Sequence, residues 1–346
     1  MSLLQLTPDL LSTALPTGWC AHVPGRDDVP DLHALRARHE VAARGAESAS
    51  ADQTHAEVAG DASGTRTHVM VRDDGGNVRG WATAHDRAGG RVLVAVVVDP
   101  ELDAATGDDV AAALFAWAQD AGAAHARARG LDGTQLDSGA FAPDVRQQRR
   151  LAAAGYTQVR TWWQMKRPVD DTDRGLQPTR PGVVVRRLTR QVGGMPAERD
   201  LVAAHDVLEQ AFTDHFNHHA ETFGEFLARL RSDPGHRWDH WWLAELVDGD
   251  EVLPVGVLLG AASVDDHGRA VGSYVEYLGV LRAARGRGVA RALLDAIVTD
   301  AAERGRTSVG LEVDADSPTG AADLYLSAGF TTSYVTQSWH RYTDVV

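Results

Sequence analysis

The chain has 346 residues, 44% hydrophobic and 24% charged, with a formal net charge of −14 and a sequence pI near 5.5. That length favours two domains, and the acidity argues against a nucleic-acid partner while suiting a cationic one. A single cysteine, Cys20, excludes an internal disulfide and a Cys-rich zinc site, as in a reduced cytoplasm. No run is apolar enough to span a membrane, and the N-terminus lacks the basic region of a secretory signal, so a cytoplasmic protein without membrane contact is expected.

In chain order, WCAHVPGRDDVPDLHAL reads as a short strand and then a helix whose start is marked by Asp27 and Asp28. A hairpin turns at Asp73-Asp74-Gly75-Gly76, followed by the strand RVLVAVVVDP (91–100) and a helix from about Asp109 to Ala121. RRLAAAGYTQVRTWWQMKRP (149–168) closes this half, and RPVDDTDRGLQPTRPG (167–182) reads as a linker. A new strand begins at Val183. A helical segment, AFTDHFNHHAETFGEFLARL (211–230), follows, then WWLAE (241–245) and a hairpin at Asp248-Gly249-Asp250. After these come the strand GSYVEYLGVLR (272–282), a helix from about Gly286 to Glu303, the strand SVGLEVD, and DLYLSAGFTTSYVTQSWHRY (323–342).

The second half repeats the first. AAAGY (152–156) recurs as LSAGF (326–330) at an offset of 174, and the strand endings Val98 and Val280 lie 182 apart. A period this long means two copies of one fold rather than a solenoid. The mixed strand and helix order predicts an α/β or α+β architecture, each copy a mixed central sheet flanked by helices. The expected domains are 1–168 and 183–346, joined by the linker 169–182.

The stretch EYLGVLRAARGRGVAR (276–291) carries the chemistry. An apolar strand runs into Arg285-Gly286-Arg287-Gly288-Val289-Ala290, and a helix with an apolar stripe of Val289, Leu293, Ile297 and Ala301 follows. Such a junction aims open backbone N–H groups and the positive helix end at one point, a cradle for a diphosphate. In the strand after it, Val309, Leu311 and Val313 alternate with Glu312, so Glu312 points away from the core. The corresponding stretch of the first copy, Leu102 to Asp109, has neither the arginines nor the glycine pair and puts Asp103, Asp108 and Asp109 at the helix mouth.

With its surroundings, Arg285 to Ala290 resembles the acetyl-CoA signature [QR]-x-x-G-x-[GA] of the GNAT superfamily of acyl-CoA-dependent N-acyltransferases. Leu311-Glu312-Val313, Asp316-Ser317-Pro318-Thr319-Gly320, Leu324-Tyr325 and Ala328-Gly329-Phe330 follow in that superfamily's order. A degenerate copy followed by an intact one also resembles the mycothiol synthase group of actinobacteria. The resemblance implies GNAT-like domains in tandem and N-acetylation of a primary amine on a small molecule, in the C-terminal copy, with acetyl-CoA as co-substrate and no metal.

It further implies that the pantetheine arm pairs with Leu278, Gly279 and Val280, that the diphosphate sits on Arg285, Gly286, Arg287, Gly288, Val289 and Ala290, and that Ser317 lies beside the arm where the family usually has asparagine. Tyr325 is the expected acid toward the departing sulfur, since a phenol stays protonated at neutral pH. Glu312 and Glu276, the latter taken to share a face with Leu278 and Val280, compete as the base. His219 and Trp242, from a segment rich in histidine and tryptophan (215–242), are expected on the acceptor wall. A non-catalytic acyl-CoA-binding regulator and a protein N-acetyltransferase are the competing readings.

Overall fold

A computed structural model describes residues 11, 14–47, 50–87, 90–175, 182–192, 194–213, 222–231, 236–249, 251–264, 269–317 and 320–345. The chain forms two compact units, one of residues 1–162 with 334–346 and the other of residues 163–333.

In the first unit the strands run in the order β1 (Cys20–His22), β2 (Arg66–Arg72), β3 (Val78–Arg87), β4 (Arg91–Val98), β5 (Gly133–Phe141) and β12 (Thr331–Asp344). β4 and β5 are parallel and the other described pairings antiparallel, so the sheet is mixed. The helices are α1 (Val29–Arg44), α2 (Ala51–Ala59), α3 (Ala104–Ala128) and α4 (Val145–Ala153). α3 is longer at both ends than the periodicity predicts. Asp103 accepts a hydrogen bond from the Thr106 N–H and starts it early, and an alanine-rich sequence carries it on past Ala121. Its apolar side, Val110, Leu114, Trp117, Ala118 and Ala121, packs with Val92, Val94 and Leu136 into one core. Gly80 permits the approach, because a β-carbon there would lie 2.9 Å from the Leu114 side chain.

The second unit repeats the order with β7 (Val183–Arg187), α5 (Glu198–Phe212), α6 (Phe223–Arg231), β8 (His236–Asp248), β9 (Glu251–Val264), β10 (Ala270–Val280), α7 (Val289–Glu303), β11 (Ser308–Asp314) and α8 (Ala321–Ser327). Its sheet order is β11-β10-β9-β8-β7, edged beside β11 by the end of β6 (Thr157–Pro168). Alternate residues face two cores. Leu258, Val275, Leu293, Ile297, Val309 and Leu311 pack on the α7 side, and Leu208, Phe226, Trp241, Leu243, Val257 and Leu259 under α5 and α6.

The closing strands are exchanged relative to the sequence repeat. β12 ends the second copy in sequence yet pairs with β5 of the first unit in antiparallel register (Trp339 opposite Ser138), while residues 163–168 of β6 belong to the second unit.

Candidate functional site

β10 and β11 are parallel neighbours through only three registered pairs, Ser273–Val309, Tyr274–Gly310 and Val275–Leu311. Beyond Val275 the ladder ends and a gap begins. Along its other edge β10 stays paired with β9 as far as Val280 opposite Gly256, but the register steps from Val275–Gly260 to Tyr277–Leu259. Glu276 is therefore the extra residue of a β-bulge, which bends and twists β10 where the gap opens. The Leu281 N–H donates to the Val255 carbonyl at 2.9 Å. Backbone alternation then turns the N–H groups of Val280 and Leu278 the other way, into the gap. Gly279 serves packing as well: a β-carbon there would lie 3.1 Å from Leu208 and 3.2 Å from Ala211 of α5.

The chain next makes a short 3₁₀ turn (Arg282–Ala284) and reaches Gly286 and Gly288, both at φ 78°, before α7 begins at Val289. The helix starts later than the expected Gly286 because the two left-handed residues hold the loop off the helical path. Among the described residues, the N–H groups of Gly286, Gly288, Val289 and Ala290 make no backbone hydrogen bond outside the helix. Val289 is 1% exposed and anchors the helix mouth in the core, while Arg285 and Arg287 are exposed with no ion-pair partner among the described residues. A cavity of about 780 Å³ opens beside the loop, lined by Gly286, Arg287 and Gly288 and by Glu251, Leu253 and Val255 of β9. Converging N–H groups, the helix dipole and two free guanidinium groups suit an anion of the size of a diphosphate.

Tyr325, on α8, is 8% exposed in the core that also holds Val289, Leu311 and Val313. Its ring meets Phe330 edge-on at 5.9 Å, and its hydroxyl has no hydrogen-bond partner among the described residues. Burial pushes its pKa up to about 12, so it is a phenol, not a phenolate, at neutral pH. Glu312 faces away from the α7-side core, as the alternation of β11 predicts, and receives a hydrogen bond from the Gln164 side-chain amide. It keeps solvent access, yet crowding by protein raises its pKa above the ordinary glutamate value, against the Gln164 bond, which lowers it. Glu276 is half-buried on the bulge, where the pleat is interrupted; the shared face expected for Glu276, Leu278 and Val280 therefore does not follow from their spacing. Ser317 is half-buried just after β11, its N–H 3.3 Å from the Asp314 carbonyl.

Trp242 is 4% exposed in the α7-side core with the Arg187 guanidinium 5.5 Å over its ring. It is a packing residue there, with almost no surface to offer a substrate. Trp241, one residue earlier, falls on the opposite side and joins Trp238 and His236 at ring distances of 5.0 and 5.6 Å. His219, with His215 and His218, lies outside the described residues. His240 is buried; its ring nitrogens meet Asp239 (2.7 Å) and Arg306, and Arg306 donates to Ser273 at 2.8 Å. Among the described residues no group of three or more His, Cys, Asp or Glu side chains is arranged to hold a metal ion.

The first unit has the same frame with side chains reaching into its openings, where a smaller cavity of about 190 Å³ remains, lined by Val98, Pro100, Pro143 and Arg150. The Asp99 N–H donates to the Arg79 carbonyl at 2.9 Å, as Leu281 does to Val255, and the β4–β5 ladder also has three pairs, Arg91–Gln135 to Leu93–Asp137. The β3–β4 register, however, runs without a bulge from Gly80–Val98 to Arg87–Arg91. Gln147, 3% exposed, reaches from α4 and donates to the Val96 carbonyl at 3.1 Å. At the repeat offset of 174, the second copy has Ala321 in that position. Arg150 lies on the first turn of α3: a β-carbon on Gly107 would come within 2.5 Å of its guanidinium, and its Nε donates to Asp108 at 2.9 Å. That bond is the main cause of a lowered Asp108 pKa, and Asp103 occupies the helix end itself. Sequence reasoning missed Gln147, Arg150 and Gln164 because each acts across strands or helices distant in sequence.

Comparison with known proteins bears on the fold and on the sequence of the second unit. Residues 201–330 match the profile of the acetyltransferase (GNAT) family. A GCN5-related N-acetyltransferase from Sphaerobacter thermophilus is similar over 95% of this chain and 96% of its own, at 26% identity and a TM-score of 0.77. A tandem GNAT protein from the clavulanic acid biosynthesis pathway shares the fold over 94% of this chain and 98% of its own, at 14% identity and a TM-score of 0.68. No curated protein sequence matches. The chain thus has the GNAT fold in tandem, and residues 201–330, which include the gap and the glycine loop, carry the sequence pattern of the acetyltransferase (GNAT) family.

Proposed function

We propose that this protein is an acetyl-CoA-dependent N-acetyltransferase whose C-terminal copy acetylates a primary amine on a small molecule. One observation carries the reading: in the second unit a strand gap with the Leu278 and Val280 amides turned into it runs up to a loop whose Gly286, Gly288, Val289 and Ala290 amides are open among the described residues. The gap suits the pantetheine arm as an added strand, and the loop suits the diphosphate.

In this reading the carboxylate of Glu312 takes one proton from the substrate ammonium, and the amine lone pair attacks the thioester carbon. The Val280 N–H is the donor to the developing oxyanion. As the C–S bond breaks, Tyr325 gives its proton to the thiolate and recovers one from the nitrogen, leaving amide, free thiol and the proton on Glu312. Glu276, on the bulge, is the other candidate for the first step. The acidic chain suits a cationic acceptor, and the resemblance to the mycothiol synthase group points to an aminosugar-like amine; nucleic acid and membrane are not partners in this reading, and the location is cytoplasmic. The first copy, with Gln147 and Arg150 in its openings, serves a structural role.

Calorimetric titration with acetyl-CoA, followed by a screen of small amines for release of coenzyme A, tests the proposal. Binding with amine-dependent thiol release supports it. Binding without release from any amine favours a non-catalytic acyl-CoA-binding protein, and no binding removes both.

A further inference from the structure

In β11, Val309, Leu311 and Val313 point into the α7-side core, which leaves Gly310 and Glu312 on the opposite face. In β6, Met165 belongs to the same core and Trp163 packs against it, so Gln164 shares the face of Glu312. Gly310 keeps that face low. A β-carbon on it would lie 3.2 Å from the Tyr274 ring. Across this shelf the Gln164 amide nitrogen donates to one oxygen of Glu312, Oε2. An amide donor suits the task, because it carries no charge and donates at every pH at which the protein is folded. A lysine or arginine in its place would hold the carboxylate ionised far more strongly and weaken it as a base.

Resting on the acyl-transfer reading above, we propose that Gln164 is a positioning residue of that reaction: it fixes one oxygen of Glu312 and leaves the other to take the ammonium proton of the acceptor. Its place in the chain gives the proposal consequence. Gln164 precedes the linker, in the last strand of the first sequence copy, but belongs to the second unit. The first half of the chain then supplies a functional group to the chemistry of the second.

The test uses the full-length protein labelled with ¹³C at the glutamate carboxyl carbon, the Glu312 signal being the one lost in Glu312→Gln. Gln164→Met keeps the length of the side chain and removes the donor; Gln164→Glu sets a second carboxylate beside the first. The Glu312 titration midpoint is expected to move up by about one pH unit in Gln164→Met, the scale of one hydrogen bond to a carboxylate, and further in Gln164→Glu. With the acceptor found in the amine screen, the acid limb of the kcat profile moves by the same amount while KM for acetyl-CoA stays put. A midpoint unchanged in both variants overturns the inference. Because the titration needs no acceptor, its result stands apart from the outcome of the amine screen. If Glu312→Gln keeps full kcat, the assignment of the base has failed, and the inference with it.

Discussion

The Arg167 Nε donates to the Ala328 carbonyl at 2.9 Å, closing the C-terminal end of α8 with a side chain from β6. Arg341 of β12 does the same for α4, donating to the Ala154 carbonyl at 2.6 Å. Both donor and acceptor are displaced by the repeat offset of 174, so the two contacts are one contact made twice with its strands exchanged. Arg167 also holds Asp173 through two nitrogens at 3.0 and 2.6 Å. Arg167→Ala leaves the buried Asp173 carboxylate with only the Asp170 N–H as donor and the helix end with none, and should cost about 2 kcal/mol. Urea denaturation checks this; a loss of a few tenths would make the contact incidental.

At the glycine loop, Gly288 has φ 78° and lies at the mouth of α7. Gly288→Ala forces a left-handed alanine, at about 1–2 kcal/mol, at the point where the loop presents its open amides. KM for acetyl-CoA should rise about tenfold or more, with kcat far less affected. Replacing Arg285 and Arg287 together by alanine should also raise it and flatten its dependence on salt, since both charges are exposed. Steady-state kinetics at two ionic strengths separates the effects.

Tyr325→Phe removes only the hydroxyl from a buried ring. Turnover should fall by about two to four orders of magnitude with calorimetric affinity for acetyl-CoA unchanged. Retention of full turnover would reduce Tyr325 to a core residue.

Changing Asp103, Asp108 and Asp109 together to asparagine should leave KM for acetyl-CoA within about twofold, because the openings of the first unit are held by its own side chains. Thermal stability should fall nonetheless. Asp108 pairs with Arg149 and Arg150 at 2.8 and 2.9 Å, and these ion pairs are lost, whereas an asparagine at 103 still caps α3. A large change in KM would show that the first copy does hold coenzyme.

Lowering the pH should destabilise the fold through its buried histidines. Burial depresses the pKa of His68 and His85 to about 4 and lowers that of His240. Each is neutral in the folded chain at neutral pH, whereas in the unfolded chain it takes a proton near the ordinary histidine pKa of 6.5. The unfolded state therefore binds more protons as pH falls through that value, and stability drops from there down to about pH 4. Denaturation between pH 7 and 4.5 measures the slope, and His68→Gln should reduce it; a flat profile would contradict the burial of these rings.

The sequence shows the parts of the site that are written as local pattern. The glycine pair, its arginines and the apolar stripe of α7 lie within one short segment, and Glu312 follows from strand alternation. The bulge at Glu276 has no marker residue, because it arises from how β9 and β10 register. Trp242 carries the same composition signal as Trp241, and only the pleat sends one to the α7 side and the other under α6. The strand exchange is hidden for a different reason: β6 and β12 stand at equivalent places in their own copies, and side-chain pattern does not say whose sheet each strand will edge.

The tail strand has a consequence for synthesis. Until residues 334–344 leave the ribosome, β5 from Gly133 to Phe141 presents a bare row of backbone donors and acceptors, the kind of rim that recruits neighbouring chains. The front half of this polypeptide is made first and sealed last, so nascent chains stalled or cleaved before Tyr334 would be sticky at that rim even when the rest of their leading fold has condensed.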